Sequence, residues 1–137
     1  MVTTRELQDR IHTVIKNING IESVYNGSVP PHTSVRKFPA ISIDYAEQQR
    51  QRSQLSGNVF DIQEEVDLYL YIKVKRNEED SETADFIDSI NKSLMEDEVL
   101  GDMTIDHYIN YVNRDGGILA PYYLTRLTLF LQYRAMC

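Results

Sequence analysis

The sequence predicts an α+β domain: an antiparallel sheet of about four to five strands with two helices packed on one face. Three observations carry that reading. Two stretches repeat apolar residues at helical spacing, several others alternate apolar and polar residues with a period of two, and most strand-like stretches are joined by loops rather than by helices. The chain has 137 residues, enough for one compact domain that needs neither metal nor disulfide to fold. We find no internal repeat and no boundary, and read residues 1–137 as a single domain.

The first element is a helix. Thr3 stands at a cap position with Glu6 three residues on, the spacing of a capping box. Leu7, Ile11, Val14, Ile15 and Ile18 then recur on one side, and Asn19-Gly20 supplies a left-handed exit. Residues Ile21 to Tyr25 read as a short strand. Segment 26–39 carries Gly27, Pro30, Pro31 and Pro39, and the missing amide donors predict an extended loop. Ala40 to Tyr45 alternates as a strand should. The segment 46–58 is rich in Gln, Arg and Ser with little to bury, and reads as a polar hairpin arm or loop.

Val59 to Arg76 is the strongest strand signal. Val66, Leu68, Leu70, Ile72 and Val74 fall on one face, with Asp67, Tyr69, Tyr71, Lys73 and Lys75 on the other. One face belongs in a core, the other against water or a neighbour. A second helix is expected from a cap at Asp80 or Ser81 to about Met95, with Phe86, Ile87, Ile90 and Leu94 as its stripe. Gly101 lies in its exit. Thr104 to Asn113 reads as a strand, Arg114-Asp115-Gly116-Gly117 as a turn, and Tyr122 to about Tyr133 as the last strand.

Composition excludes several function classes. The net charge of −7 and the lack of a basic patch argue against sequence-specific nucleic-acid binding. Acids concentrate around the second helix, in Glu78–Glu82 and Glu96–Glu98, and would repel passing DNA. No apolar run is long enough for a bilayer and no charged-then-apolar leader opens the chain, so nothing argues for secretion or a membrane partner. A single cysteine, Cys137, rules out an internal disulfide.

Reactive centres are also missing from the pattern. His12, His32 and His107 have no partner at metal-ligand spacing. No G-x-S-x-G, Walker-type or dinucleotide glycine motif occurs. Asp61, Glu64, Glu65, Asp67 and Asp106 remain as a set that neighbouring strands could gather around Mg²⁺, which keeps a small metal-dependent nuclease as the alternative from a different class. We expect no enzyme activity, no cofactor and no metal site. Nothing points to the concave pocket that a dimeric small-ligand domain would need.

Binding surface is what remains. The chain has nine tyrosines and no tryptophan. Tyr69, Tyr71 and Lys73 share the strand face expected to be solvated in a lone copy, and Tyr108 on the next strand joins them. Arg50 and Arg52, in the polar arm, suit a contact with another ring. These six residues are the candidate assembly interface.

Order and pattern together resemble a known family. An amphipathic N-terminal helix, the proline-closed strand Phe38-Pro39-Ala40-Ile41-Ser42-Ile43, a polar arm, the long strand Val66–Lys75, a helix followed by Leu94 to Leu100 and Gly101-Asp102-Met103, a strand, the Asp115-Gly116 turn and a last strand ending in Tyr133 follow one another. The chain resembles the tail terminator, tail-completion and tail-to-head joining proteins of long-tailed bacteriophages, the group that includes the lambda tail terminator. The resemblance spans nearly the whole chain and implies that family's α+β fold. It also implies a ring, usually of six subunits, at the head-proximal end of the tail. The implied partners are copies of itself, the tail tube protein, the head connector and, in contractile tails, the sheath, with DNA passing through the lumen. The implied location is the tail or neck of a virion assembled in the host cytoplasm. A head-completion or connector ring of the neck is the nearest alternative.

Overall fold

A computed structural model describes residues 3–26, 37–52, 59–73, 79–114 and 122–136. The described elements are α1 (Thr4–Lys16), β1 (Ser23–Asn26), β2 (Ala40–Arg52), β3 (Val59–Lys73), α2 (Glu79–Glu96), α3 (Glu98–Met103), β4 (Asp106–Arg114) and β5 (Tyr122–Met136). Among the described residues the strands form one sheet in the order β1-β2-β3-β5-β4. Three of its joints are antiparallel, and β1 runs parallel to β2. The expected α+β architecture is present, with α1 and α2 as the two main helices.

Alternation decides which face the helices cover. Ile62, Val66, Leu68, Leu70 and Ile72 of β3 and Leu127, Leu129, Leu131 and Tyr133 of β5 form one buried cluster with Leu7, Ile11 and Ile15 of α1 and Ile90 and Leu94 of α2. The register confirms the match, since Leu68 lies opposite Leu127 and Val66 opposite Leu129. Each such side chain, taken fully out of water, contributes roughly 1.5–3 kcal/mol. The Thr3 hydroxyl caps α1 by accepting from the Glu6 amide at 3.2 Å. The helix leaves through Gly20, whose φ of +94° is costly for any side chain.

Four expectations change. First, β1 and β2 are parallel, although only a loop was expected between them. A parallel joint needs a connection that returns the chain to the same end of the sheet, whereas strands joined by a simple loop pair most easily as antiparallel neighbours. Second, the polar arm is regular strand over its described part: β2 continues to Arg52, paired with Phe60. A bulge between Tyr45 and Glu47 shifts its register, and β5 extends beside it so that Val59 lies opposite Met136. Backbone pairing on a three-stranded layer compensates for a sequence with few apolar residues. Third, α2 begins at Glu79, so Asp80 and Ser81 lie inside it rather than at its cap. Fourth, the exit containing Gly101 is itself a helix, α3, capped by Asp97, whose carboxylate accepts from the Leu100 amide at 2.7 Å. The expectations for residues 27–36, 53–58, 74–78, 115–121 and Cys137 lie outside the described residues.

Leu68 sits at the centre of the middle strand with no exposed surface. Leu68→Ala is expected to lower the unfolding free energy by about 2–5 kcal/mol, read from the urea midpoint at an unchanged slope.

Candidate assembly surface

Both main helices pack on one side of the sheet, so the side chains of opposite parity form a second face that is helix-free among the described residues. Its rows are read from the register. Ala40, Tyr71 and Leu124 share one row, Ser42, Tyr69, Arg126 and Asn113 a second, and Asp44, Asp67, Thr128 and Tyr111 a third. Tyr108 and Phe130 lie further along, in the row of Glu65.

Tyr69, Tyr71, Lys73 and Tyr108 therefore do share a face. They differ in exposure. Tyr108 is 41% exposed, while Tyr71 is only 3% exposed. The expectation that this strand face is solvated throughout fails at Tyr71. Together with Ala40 it forms a small cluster against Tyr25, Phe38, Tyr69 and Leu124. Aromatic neighbours on the same face, rather than a helix, make that cover among the described residues. Burial, with Tyr69 alongside, pushes the Tyr71 hydroxyl up to about 12. Lys73 is exposed, with its ammonium 5.5 Å from the centre of the Tyr122 ring. It also borders a cleft of about 450 Å³ lined by Gly20, Phe38 and Phe86 with Glu82 and Asp85.

Residues not singled out in the sequence complete the face. Arg126 lies over the Tyr111 ring at 5.3 Å. Burial works against its charge, but hydrogen bonding to Tyr69 and the nearby Asp67 carboxylate outweigh that and raise its pKa. Its Nε is nevertheless buried without a hydrogen-bond partner, as is the Ser42 Oγ in the same row. Such unsatisfied groups each cost about 1–3 kcal/mol. Tyr108 packs on Phe130, ring centres 5.2 Å apart. The signal for Arg126 and Phe130 was their alternation against Leu127 and Leu129.

Arg50 is elsewhere. Because the bulge flips parity along β2, Arg50 lies opposite Ile62 and so on the helix side of the sheet, at the far end from Tyr71. A polar network holds it there. Arg50 Nε donates to Gln48 Oε1 at 2.6 Å and Nη2 reaches the Thr4 hydroxyl at 3.5 Å. Gln48 Nε2 and the Tyr133 hydroxyl both donate to Glu64, at 3.2 and 2.7 Å. Glu64 is 3% exposed, so these donors offset much of its desolvation. Burial pushes Tyr133 upward, and it pushes Tyr45, with Glu64 and Asp9 nearby, up to about 12. The backbone of Arg52 pairs with Phe60.

The carboxylates weighed for a metal are divided between faces. Glu64 is on the helix side, while Asp61, Glu65, Asp67 and Asp106 are on the helix-free side. Asp61 pairs with Arg134 at 2.9 Å, and Asp67 accepts from the Thr128 hydroxyl at 2.8 Å. Among the described residues no three His, Cys, Asp or Glu gather as a metal-holding group. His107 is buried at the start of β4. Its Nε2 lies 2.9 Å from the Leu94 carbonyl, which can only accept, and its Nδ1 faces the Thr104 hydroxyl at 2.8 Å. It ties β4 to α2 and α3. Arg10 joins the same corner to α1 through a two-pronged contact with Asp97, at 3.0 and 2.6 Å. No described helix is long and apolar enough to cross a membrane.

No family model matches this chain, and no curated protein matches it in sequence.

Tyr133→Phe is expected to remove one Glu64 donor and destabilise the domain by about 1–3 kcal/mol, with Arg50 loosened, measured by chemical denaturation and by amide exchange along the arm. The raised Tyr45 and Tyr71 pKa values mean the folded state holds these protons more tightly than the unfolded chain. That stability is full below pH 10.0 and is lost as pH rises towards about 12. The urea midpoint followed through this range should fall, and fall less in Tyr45→Phe or Tyr71→Phe.

Proposed function

We propose that this chain is a structural subunit of a bacteriophage tail, forming a ring with its own copies at the head-proximal end of the tail tube. In this role it ends tube polymerisation and joins the tail to the head connector. One observation supports the reading above others. Among the described residues the helices pack on one face of the sheet only, and the opposite face carries tyrosines, Phe130 and Arg126, side chains of the kind that protein interfaces favour. A subunit that works by fitting against others needs such surface and no reactive centre.

The physics of the role is repetition. Each contact between copies is modest, but closing a ring makes the last contacts intramolecular and raises their effective strength. The tube protein, the connector and, in a contractile tail, the sheath are the further partners in this reading. Arg50 and Arg52 at the arm serve the contact with a neighbouring ring. The net charge of −7 keeps DNA moving through the lumen without adhesion. The resemblance in element order to tail terminator and tail-completion proteins points to the same role.

Particles assembled without this chain test it. Electron micrographs should show over-long tails or tails without heads. Joined particles with tails of normal length would overturn the proposal.

A further inference from the structure

Among the described residues, large apolar side chains are exposed on one flank only. Met95 ends α2, Val99 lies on α3, and Ile105, Tyr108, Tyr111 and Val112 lie at the start of or along β4, at 41–58% exposure. β4 is an edge of the described sheet, and Asn110 to Arg114 are exposed without a break. The strand carries neither proline nor lysine, the usual means of blunting an edge. The flank of α1 and β1, at the other edge, presents His12, Lys16, Glu22 and Asn26 instead.

The β4 edge is complementary to itself. Its bulge, between Ile109 and Tyr111, changes parity. Asp106 and Tyr108 before it face the helix-free side, and so do Tyr111 and Asn113 after it. Two copies related by a two-fold axis normal to the sheet run antiparallel at the joint and keep their faces matched. Opposed residues must then lie on the same face. A register that satisfies this at every pair outside the bulge residue Asn110 sets Tyr108 against Tyr111 of the second copy, twice over. It also sets His107 against Val112 on the helix side and Asp106 against Asn113. Both tyrosines are already held, by Phe130 and by Arg126, so little freedom is lost on pairing.

We propose that the soluble chain is a two-fold dimer, joined by antiparallel pairing of β4 with β4 and covering the Ile105–Tyr108–Val112 flank. The proposal goes beyond the ring reading and does not rest on it, since a ring repeats a contact between unlike surfaces.

Sedimentation equilibrium of the full chain tests the joint. The unaltered chain should weigh as a dimer at micromolar concentration. Tyr108→Lys with Tyr111→Lys puts like charges opposite each other on both sides of the two-fold axis and should give a monomer with unchanged circular dichroism. Tyr108→Glu with Tyr111→Glu should do the same alone. Mixing the two altered chains should restore a one-to-one dimer. A monomeric unaltered chain overturns the proposal. So does a chain that associates, as a ring or otherwise, equally well with both lysines in place; that result would leave the ring reading intact.

Discussion

β3 is the constraint on which the rest of the structure depends. It lies between β2 and β5, and all of its described residues from Val59 to Lys73 pair with β5. A strand paired on both sides has no freedom to slip without turning its apolar set to the wrong face. Once Leu68 and Leu70 point toward α1 and α2, the positions of Leu127, Leu129, Ile41 and Ile43 follow, and so does the placement of Tyr69 and Tyr71 on the opposite side. The core and the candidate surface are therefore two consequences of one alternation.

Two bulges then redistribute function across this regular frame. One, at Tyr45/Glu47, moves Arg50 to the helix side and brings Gln48 to Glu64 and Tyr133. The other, at Ile109/Tyr111, leaves Tyr108 and Tyr111 on the same face. Each inserts a residue where the partner strand has none, so side chains that a simple alternation would separate are brought together, and others that it would unite are parted. Polar contacts fix the corners. Arg10 holds Asp97, Asp97 caps α3, and His107 ties β4 to the end of α2. Asp97 is kept below the usual carboxylate range, chiefly by the Arg10 hydrogen bond.

Much of this was legible in the residues. The period-two run of Val66 to Lys73 and the helical stripes of Leu7–Ile15 and Ile90–Leu94 named the core correctly, because burial of a face is written directly into spacing. The grouping of Tyr69, Tyr71, Lys73 and Tyr108 on one face was legible for the same reason. Arg50 was named for the interface because a Gln- and Arg-rich arm, read as a polar hairpin arm or loop, suits a contact with another ring. Backbone pairing overrode that composition, and a bulge, which has no dependable sequence signature, then chose its face. Arg126 and Phe130 were passed over because a charged or aromatic residue in an alternating strand carries no mark of what it will stack on.

By itself the sequence determined the two main helices, the two faces of the long strand and the absence of familiar catalytic motifs, since these follow from local spacing and residue chemistry. Only the tertiary structure decided that β1 joins β2 in parallel, that Tyr71 is buried while Tyr108 is open, and that the exposed apolar residues gather on the β4 flank. The physical reason is that strand order and bulge position depend on which distant residues meet. That choice is made by the free energy of the whole packed sheet, not by any stretch of chain alone.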